Sequence, residues 1–216
     1  MKRKIIAVAL LLPAGNAFAK LTDEALYRQA LQQAREGQFV GALPELERLA
    51  SEHPNRKKYL YDYLQVLSWA NRDDDVLIES EKLDLQRAPA FVLEAIAKAA
   101  RNKGQLEKAN ELYARAAEKT PKRLTPHLGL GLVMLDQKQT QAAISHFEQL
   151  SENFPDNPEL TQALANALLQ DGQTARADQL LKSLLTSQPD NKDAVVRLVQ
   201  SQIAKQDFAG AIATAN

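Results

Sequence analysis

Four alanines, Ala109, Ala143, Ala177 and Ala211, stand 34 residues apart, and Pro121, Pro155 and Pro189 keep the same interval. This period constrains the fold more than any composition does. A unit of that length makes two short helices and cannot bury its apolar face alone, so neighbouring units must stack into an elongated array. Leu124–Pro155 shows the unit most clearly: a helical apolar pattern, a polar turn, a second helical pattern and a terminating proline. The expected class is all-α.

The same unit is read along the chain as repeats at about 23–55, 56–89, 90–123, 124–157, 158–191 and 192–216, the last incomplete. In the first, Ala25, Leu26, Ala30, Leu31 and Ala34 follow helical spacing over Leu21 to Arg35, with Thr22 or Asp23 as the N-cap. Gly37-Gln38 is the turn, and Phe39 to Ala50 is the partner helix, with Pro44 in its first turn, where a missing N–H is tolerated. Gln29 and Gln33 take apolar places, which suits a partly solvated end. The second repeat diverges. Its first helix, Lys57 to Asn71, is rich in large residues (Tyr59, Tyr61, Tyr63, Trp69), and its second is expected from Asp73 to about Gln86. Ala42 to Ala109 spans 67 residues, one short of two units. The small residues Ala97, Gly131 and Ala165 let paired helices approach, as Ala109, Ala143 and Ala177 do from the other side. The sixth unit stops at Asn216 inside its second helix with an apolar face uncovered, and the expectation is that more chain follows in the natural product.

Composition narrows the function classes. The 216 residues carry zero formal net charge and only 6% aromatics, so no basic face for nucleic acid is expected. There is no cysteine, which excludes disulfides, thiol catalysis and a lipidated N-terminus. Lys2, Arg3 and Lys4, the apolar run Ile5 to Leu12 and Ala17-Phe18-Ala19 read as a secretory signal cleaved after Ala19. Removing those three bases leaves 24 basic and 27 acidic residues in the mature chain, a net of −3. The apolar run is too short to span a bilayer.

Catalytic constellations are absent from the sequence. His53, His127 and His146 fall at no metal-ligand spacing, and His127 takes a packing position of its unit. No glycine-rich phosphate loop or nucleophile elbow occurs. Asp73-Asp74-Asp75 could hold a cation, but three acids at a helix start favour the helix dipole. No enzyme, cofactor or metal is expected.

The order His127, Leu130, Gly131, Met134, then Ala143, Phe147, then Pro155 resembles the tetratricopeptide (TPR) pattern. That resemblance implies a right-handed α-solenoid of helix-turn-helix repeats whose concave groove is lined by the first helix of each pair. Carried onto this chain, the groove places Tyr27, Tyr61, Gln65, Trp69, Glu94, Asp136, Glu159, Gln162 and Asn166 toward a ligand. Tyr27, Tyr61 and Trp69 would offer faces for a sugar ring or an apolar side chain, and Glu159, Gln162 and Asn166 a polar row. A core role for Trp69 is the alternative. The stretch Asp62–Leu77, DYLQVLSWANRDDDVL, resembles the early repeats of the outer-membrane exporters of poly-β-1,6-N-acetyl-D-glucosamine (PgaA or HmsH). This likeness implies a periplasmic module ahead of a C-terminal outer-membrane barrel. Its partners would be a cationic, partly deacetylated glucosamine polymer and a periplasmic polysaccharide deacetylase. The other reading is a periplasmic scaffold for cytochrome maturation or outer-membrane biogenesis that takes a peptide.

Overall fold

The computed structural model describes residues 22–215, so the expected signal segment lies outside the described residues. These hold twelve helices and no strand: α1 (Asp23–Arg35), α2 (Phe39–Glu52), α3 (Lys57–Trp69), α4 (Asp73–Ser80), α5 (Ala90–Asn102), α6 (Leu106–Lys119), α7 (Leu124–Asp136), α8 (Thr140–Asn153), α9 (Pro158–Gln170), α10 (Thr174–Ser187), α11 (Lys192–Ala204) and α12 (Phe208–Ala215). None is long and apolar enough to cross a membrane. From α3 onward each odd-numbered helix packs on the next odd one. Each even-numbered helix packs mainly on the odd helices before and after it. The odd helices therefore form a continuous inner layer and the even ones a separated outer layer, an all-α solenoid of TPR type.

Every pair turns in the same way. Residues 37, 71, 104, 138, 172 and 206 all have positive φ. The N–H that follows each of them donates to a carbonyl five residues back at 2.8–2.9 Å, as in Gln38 to Gln33 and Gln139 to Met134. This is the Schellman closure, which satisfies carbonyls orphaned at a helix end and needs a left-handed residue before that N–H. Gly37, Gly104 and Gly172 fill the place without strain, but Asn71, Lys138 and Gln206 also occupy it.

Close packing follows the small residues. Ala97 and Ala165 are fully buried. A Cβ on Gly131 would stand 2.2 Å from the Phe147 ring, and one on Gly129 would stand 2.4 Å from the Tyr113 ring. At α7, bare backbone therefore takes the place of side chains so that two rings can seat. The apolar core divides at the same helix. One cluster runs from Tyr27 to Val133 and the other from Leu135 to Leu198.

The second repeat departs from expectation. α4 ends at Ser80, not near Gln86. Ser80 Oγ donates to Leu77 O at 2.7 Å, and the N–H groups of Glu81, Lys82 and Leu83 make three-residue bonds. Downstream, Asp84 Oδ1 accepts from the Gln86 N–H, and Arg115 of α6 donates to Leu85 O. Short polar side chains that offer the backbone other partners terminate helices. Leu83 and Leu85 still pack on the core, so the segment of 81–89 stays tied down while absorbing the missing residue. At the far end, Phe208 and Ile212 of α12 are exposed, as the uncovered face of the sixth unit requires.

Candidate ligand groove

The inner layer is stitched by polar contacts between successive odd helices. Lys58 of α3 donates to Glu24 of α1 at 3.2 Å, and the Tyr27 hydroxyl donates to Asp62. Lys98 of α5 reaches back to Ser68 O at 3.0 Å and Asn71 Oδ1 at 3.1 Å. Arg101 meets Asp136 at 3.0 Å, and Arg197 of α11 donates to Asn166 at 3.1 Å. The partners lie 27–35 residues apart, so each tie joins roughly equivalent places in adjacent repeats.

These ties redistribute the side chains that the sequence assigned to a ligand. Tyr27 is a correction: it is buried, edge-on to Tyr59 with ring centroids 5.0 Å apart, because its hydroxyl finds Asp62 inside the layer. Burial, together with the Asp62 carboxylate, pushes its ionisation well above the usual phenol range. Glu94 is a second correction. It is buried against Arg123, 3.2 Å away, and burial raises its carboxyl above the ordinary 4.5 despite that guanidinium. Tyr61 is half-buried against the N-terminal cluster, and Gln65 is half-buried beside it. Asp136 is exposed but paired with Arg101. The polar row is partly committed: Gln162 donates to Asn191 Oδ1 at 2.9 Å, Asn166 accepts from Arg197, and Glu159 is exposed.

Trp69 is the large aromatic of the set that remains available. It is 45% exposed, which excludes the core role. Equivalent places in the other repeats hold Arg35, Asn102, Asp136, Gln170 and Ala204, so the array does not need an indole there for packing. The ring stands in a cleft of about 400 Å³ with Ala34, Arg35, Gly37 and Phe39. An aromatic face, a second ring and a guanidinium together suit a flat ligand with hydroxyl or carbonyl oxygens at its edge. Arg35 is a groove position that the repeat pattern implied, whereas Phe39 escaped the sequence reading because it reaches Trp69 across a repeat boundary.

Two further clusters are structural. Asp23, Glu52 and His53 bring ligand atoms within 4.8 Å of one another, which their sequence spacing did not suggest. Arg48 already supplies the positive charge there, bonding Asp23 at 2.9 Å and also Glu45 and Glu52, while His53 Nε2 lies 2.8 Å from Asp23. Those hydrogen bonds hold the Asp23 carboxyl below its ordinary 3.8. The Asp73–Asp75 triplet opens α4, as expected. Asn102 donates to Asp73 and Lys103 to Asp74, tying α4 to the end of α5, and Arg72 pairs with Asp75.

An inner wall of stacked first helices around a half-open aromatic cleft defines a helical-repeat recognition scaffold. The Tetratricopeptide repeat profiles match residues 24–56, 100–167, 134–185 and 168–216. This chain belongs to the tetratricopeptide repeat family. It is 30% identical over 118 residues to the Protein CTR9 homolog of Arabidopsis thaliana, across 53% of this chain and 11% of that protein. It is 26% identical over 188 residues to the Poly-beta-1,6-N-acetyl-D-glucosamine export protein of Escherichia coli, across 87% of this chain and 22% of that protein. The chain thus spans about a tenth and about a fifth of the length of these relatives. Its fold matches a thermophilic TPR protein of Thermus thermophilus with a TM-score of 0.69 at 22% identity, covering 84% of this chain and all of that one.

Proposed function

We propose that this chain is the TPR module of a machine that exports poly-β-1,6-N-acetyl-D-glucosamine, holding partly deacetylated polymer and docking a periplasmic partner such as a polysaccharide deacetylase. The observation that carries this reading is the reach of the similarity to the Escherichia coli export protein. The repeat profiles leave residues 57–99 unmatched, whereas an alignment over 188 of 216 residues runs through them. That stretch contains the divergent second repeat and its tryptophan, so the likeness is not confined to the shared repeat pattern. The secretory pattern up to Ala19 supports a periplasmic setting, with outer-membrane anchoring left to other parts of a longer protein.

The ties along the inner wall adjust the mechanism. Glu24, Glu94 and Asp136 have basic partners, so a continuous acidic strip does not draw in a cationic polymer. Contact rests instead on stacking at Trp69 and on the exposed Glu159. Isothermal titration with partly deacetylated and fully acetylated β-1,6-glucosamine oligomers, at two salt concentrations, tests this. Both should bind, the deacetylated one more tightly by a small, salt-sensitive margin. Trp69→Ala should weaken both at least about tenfold with little change in melting temperature. Undiminished binding by the variant, or no binding by the parent, overturns the reading; capture of a peptide instead would favour the assembly-scaffold function.

A further inference from the structure

Cavities recur at equivalent places beside four of the five linkers between repeats. The lining of each includes a linker proline, a residue of the next first helix and a residue of an outer helix at equivalent places. The sets are Pro54, Leu60 and Glu79; Pro121, His127 and His146; Pro155, Thr161 and Leu180; and Pro189, Val195 and Thr214. Because the places are equivalent, each cavity is a control for the others. Only the one at Pro121 carries an imidazole at both places. It also has Lys122, where the next two linkers have Asp156 and Asp190.

The detail there favours one charge sign. The cavity has a volume of about 450 Å³. His127, expected to pack inside its repeat, is half-exposed, with Nε2 3.2 Å from Pro121 O. His146 Nε2 lies 2.8 Å from His127 O. A carbonyl only accepts, so each Nε2 carries a hydrogen and each ring has Nδ1 left for a ligand. The carboxamides of Gln149 and Asn153 add donors, and Leu150 and Phe154 form an apolar wall. Lys122 has no ion-pair partner among the described residues, and no carboxylate lines the space. Lys122, His127 and His146 are its ionisable groups.

We propose that this cavity binds an oxyanion, a carboxylate or phosphate group, carried on a small apolar body. The ammonium and carboxamide donors meet the oxygens, and the apolar body lies on Leu150 and Phe154. Each imidazole that joins them does so through Nδ1–H, taking up a proton from solvent, because Nε2–H is committed to the backbone. This site lies on the linker edge and is independent of the polymer-binding reading above.

Titration calorimetry and imidazole NMR on the whole protein test it, with N-acetylleucine as a peptide-like carboxylate and inorganic phosphate as the second source. N-acetylleucine should shift the His127 and His146 resonances, leave His53 unmoved and show proton uptake when buffers of different ionisation enthalpy are compared. Phosphate binding without N-acetylleucine binding would assign the phosphate source and overturn the role given to the apolar body. The double variant His127→Thr with His146→Leu gives this repeat the residues of the next one, Thr161 and Leu180, so it should fold. It should bind at least about tenfold more weakly. Lys122→Asp, borrowed from the next linker, should weaken binding similarly and keeps the test open if the double variant is unstable. Unmoved imidazole resonances with both probes, or undiminished binding by folded variants, overturns the proposal.

Discussion

The two halves of this solenoid share one backbone rhythm and differ in what fills it. In the N-terminal cluster the buried aromatics are Tyr27, Tyr59, Tyr63 and Tyr113, while in the C-terminal cluster Phe147 is the one buried aromatic, among leucines, alanines and Ile144. Ion pairs follow the same division. Among the described residues, all but Arg176–Glu148 and Lys205–Asp178 use residues before Gln137. Lys58 also lies over the rings of Tyr27 and Tyr59, at 4.7 and 5.1 Å. Side-chain caps occur in both halves: Thr22 accepts from the Ala25 N–H, and Asn157 and Asn191 accept from the Leu160 and Ala194 N–H groups. The repeat thus specifies where small and large residues go. The large ones can be polar-tipped, with partners in the next repeat, or plain hydrocarbon, held by fit.

Phe147→Ala should separate the two halves most strongly. Loss of the one buried aromatic of the C-terminal cluster should cost about 3–5 kcal/mol. Hydrogen exchange should accelerate over α7–α12 more than over α1–α6, and uniform acceleration would show that the two clusters unfold as one. Gly131→Ala comes next. Its Cβ has no room beside the Phe147 ring, and overpacking should cost about 1–3 kcal/mol in chemical denaturation. A neutral result would mean that the joint at α7 is looser than its geometry. Lys138→Gly should work in the opposite direction, stabilising by about 1 kcal/mol, because it removes a side chain from a left-handed turn without touching the core.

The smallest effect concerns pH and belongs to the N-terminal half. Hydrogen bonds from Arg48 and His53 hold Asp23 below 3.8, and Lys58 holds Glu24 below 4.5. Their stabilisation is fully present above those ordinary values and is lost as pH falls through the lower folded ones. Glu94 opposes them. Burial raises its folded value above 4.5, so its cost is relieved as pH falls through that raised value. Melting curves should therefore show a net loss below about pH 4 that shrinks in Arg48→Met. An unchanged acid limb in that variant would leave the Arg48 cluster without a role in stability.

Much of this molecule is written locally. The interval of 34 residues sets twelve helices in pairs, because each amphipathic unit needs its neighbour to bury its face. Gly37, Gly104 and Gly172 mark turns directly, whereas Lys138 and Gln206 are recognisable there only once the register is known. The early end of α4 was not legible: Ser80 and Asp84 stop the helix through contacts that compete with its backbone bonds, and Arg115 secures the result from another repeat.

The candidate groove divides along the same line. That first helices would form the inner layer was implied by the resemblance to the tetratricopeptide pattern, and the stacking of successive odd helices agrees with it. Which of their side chains remain open was decided by partners about one repeat away: Asp62 took Tyr27 inward, Arg123 took Glu94, and Trp69 stayed half in solvent. Periodicity reports which face a residue occupies. Only the stacked helices determine whether a neighbouring residue has already claimed its polar end.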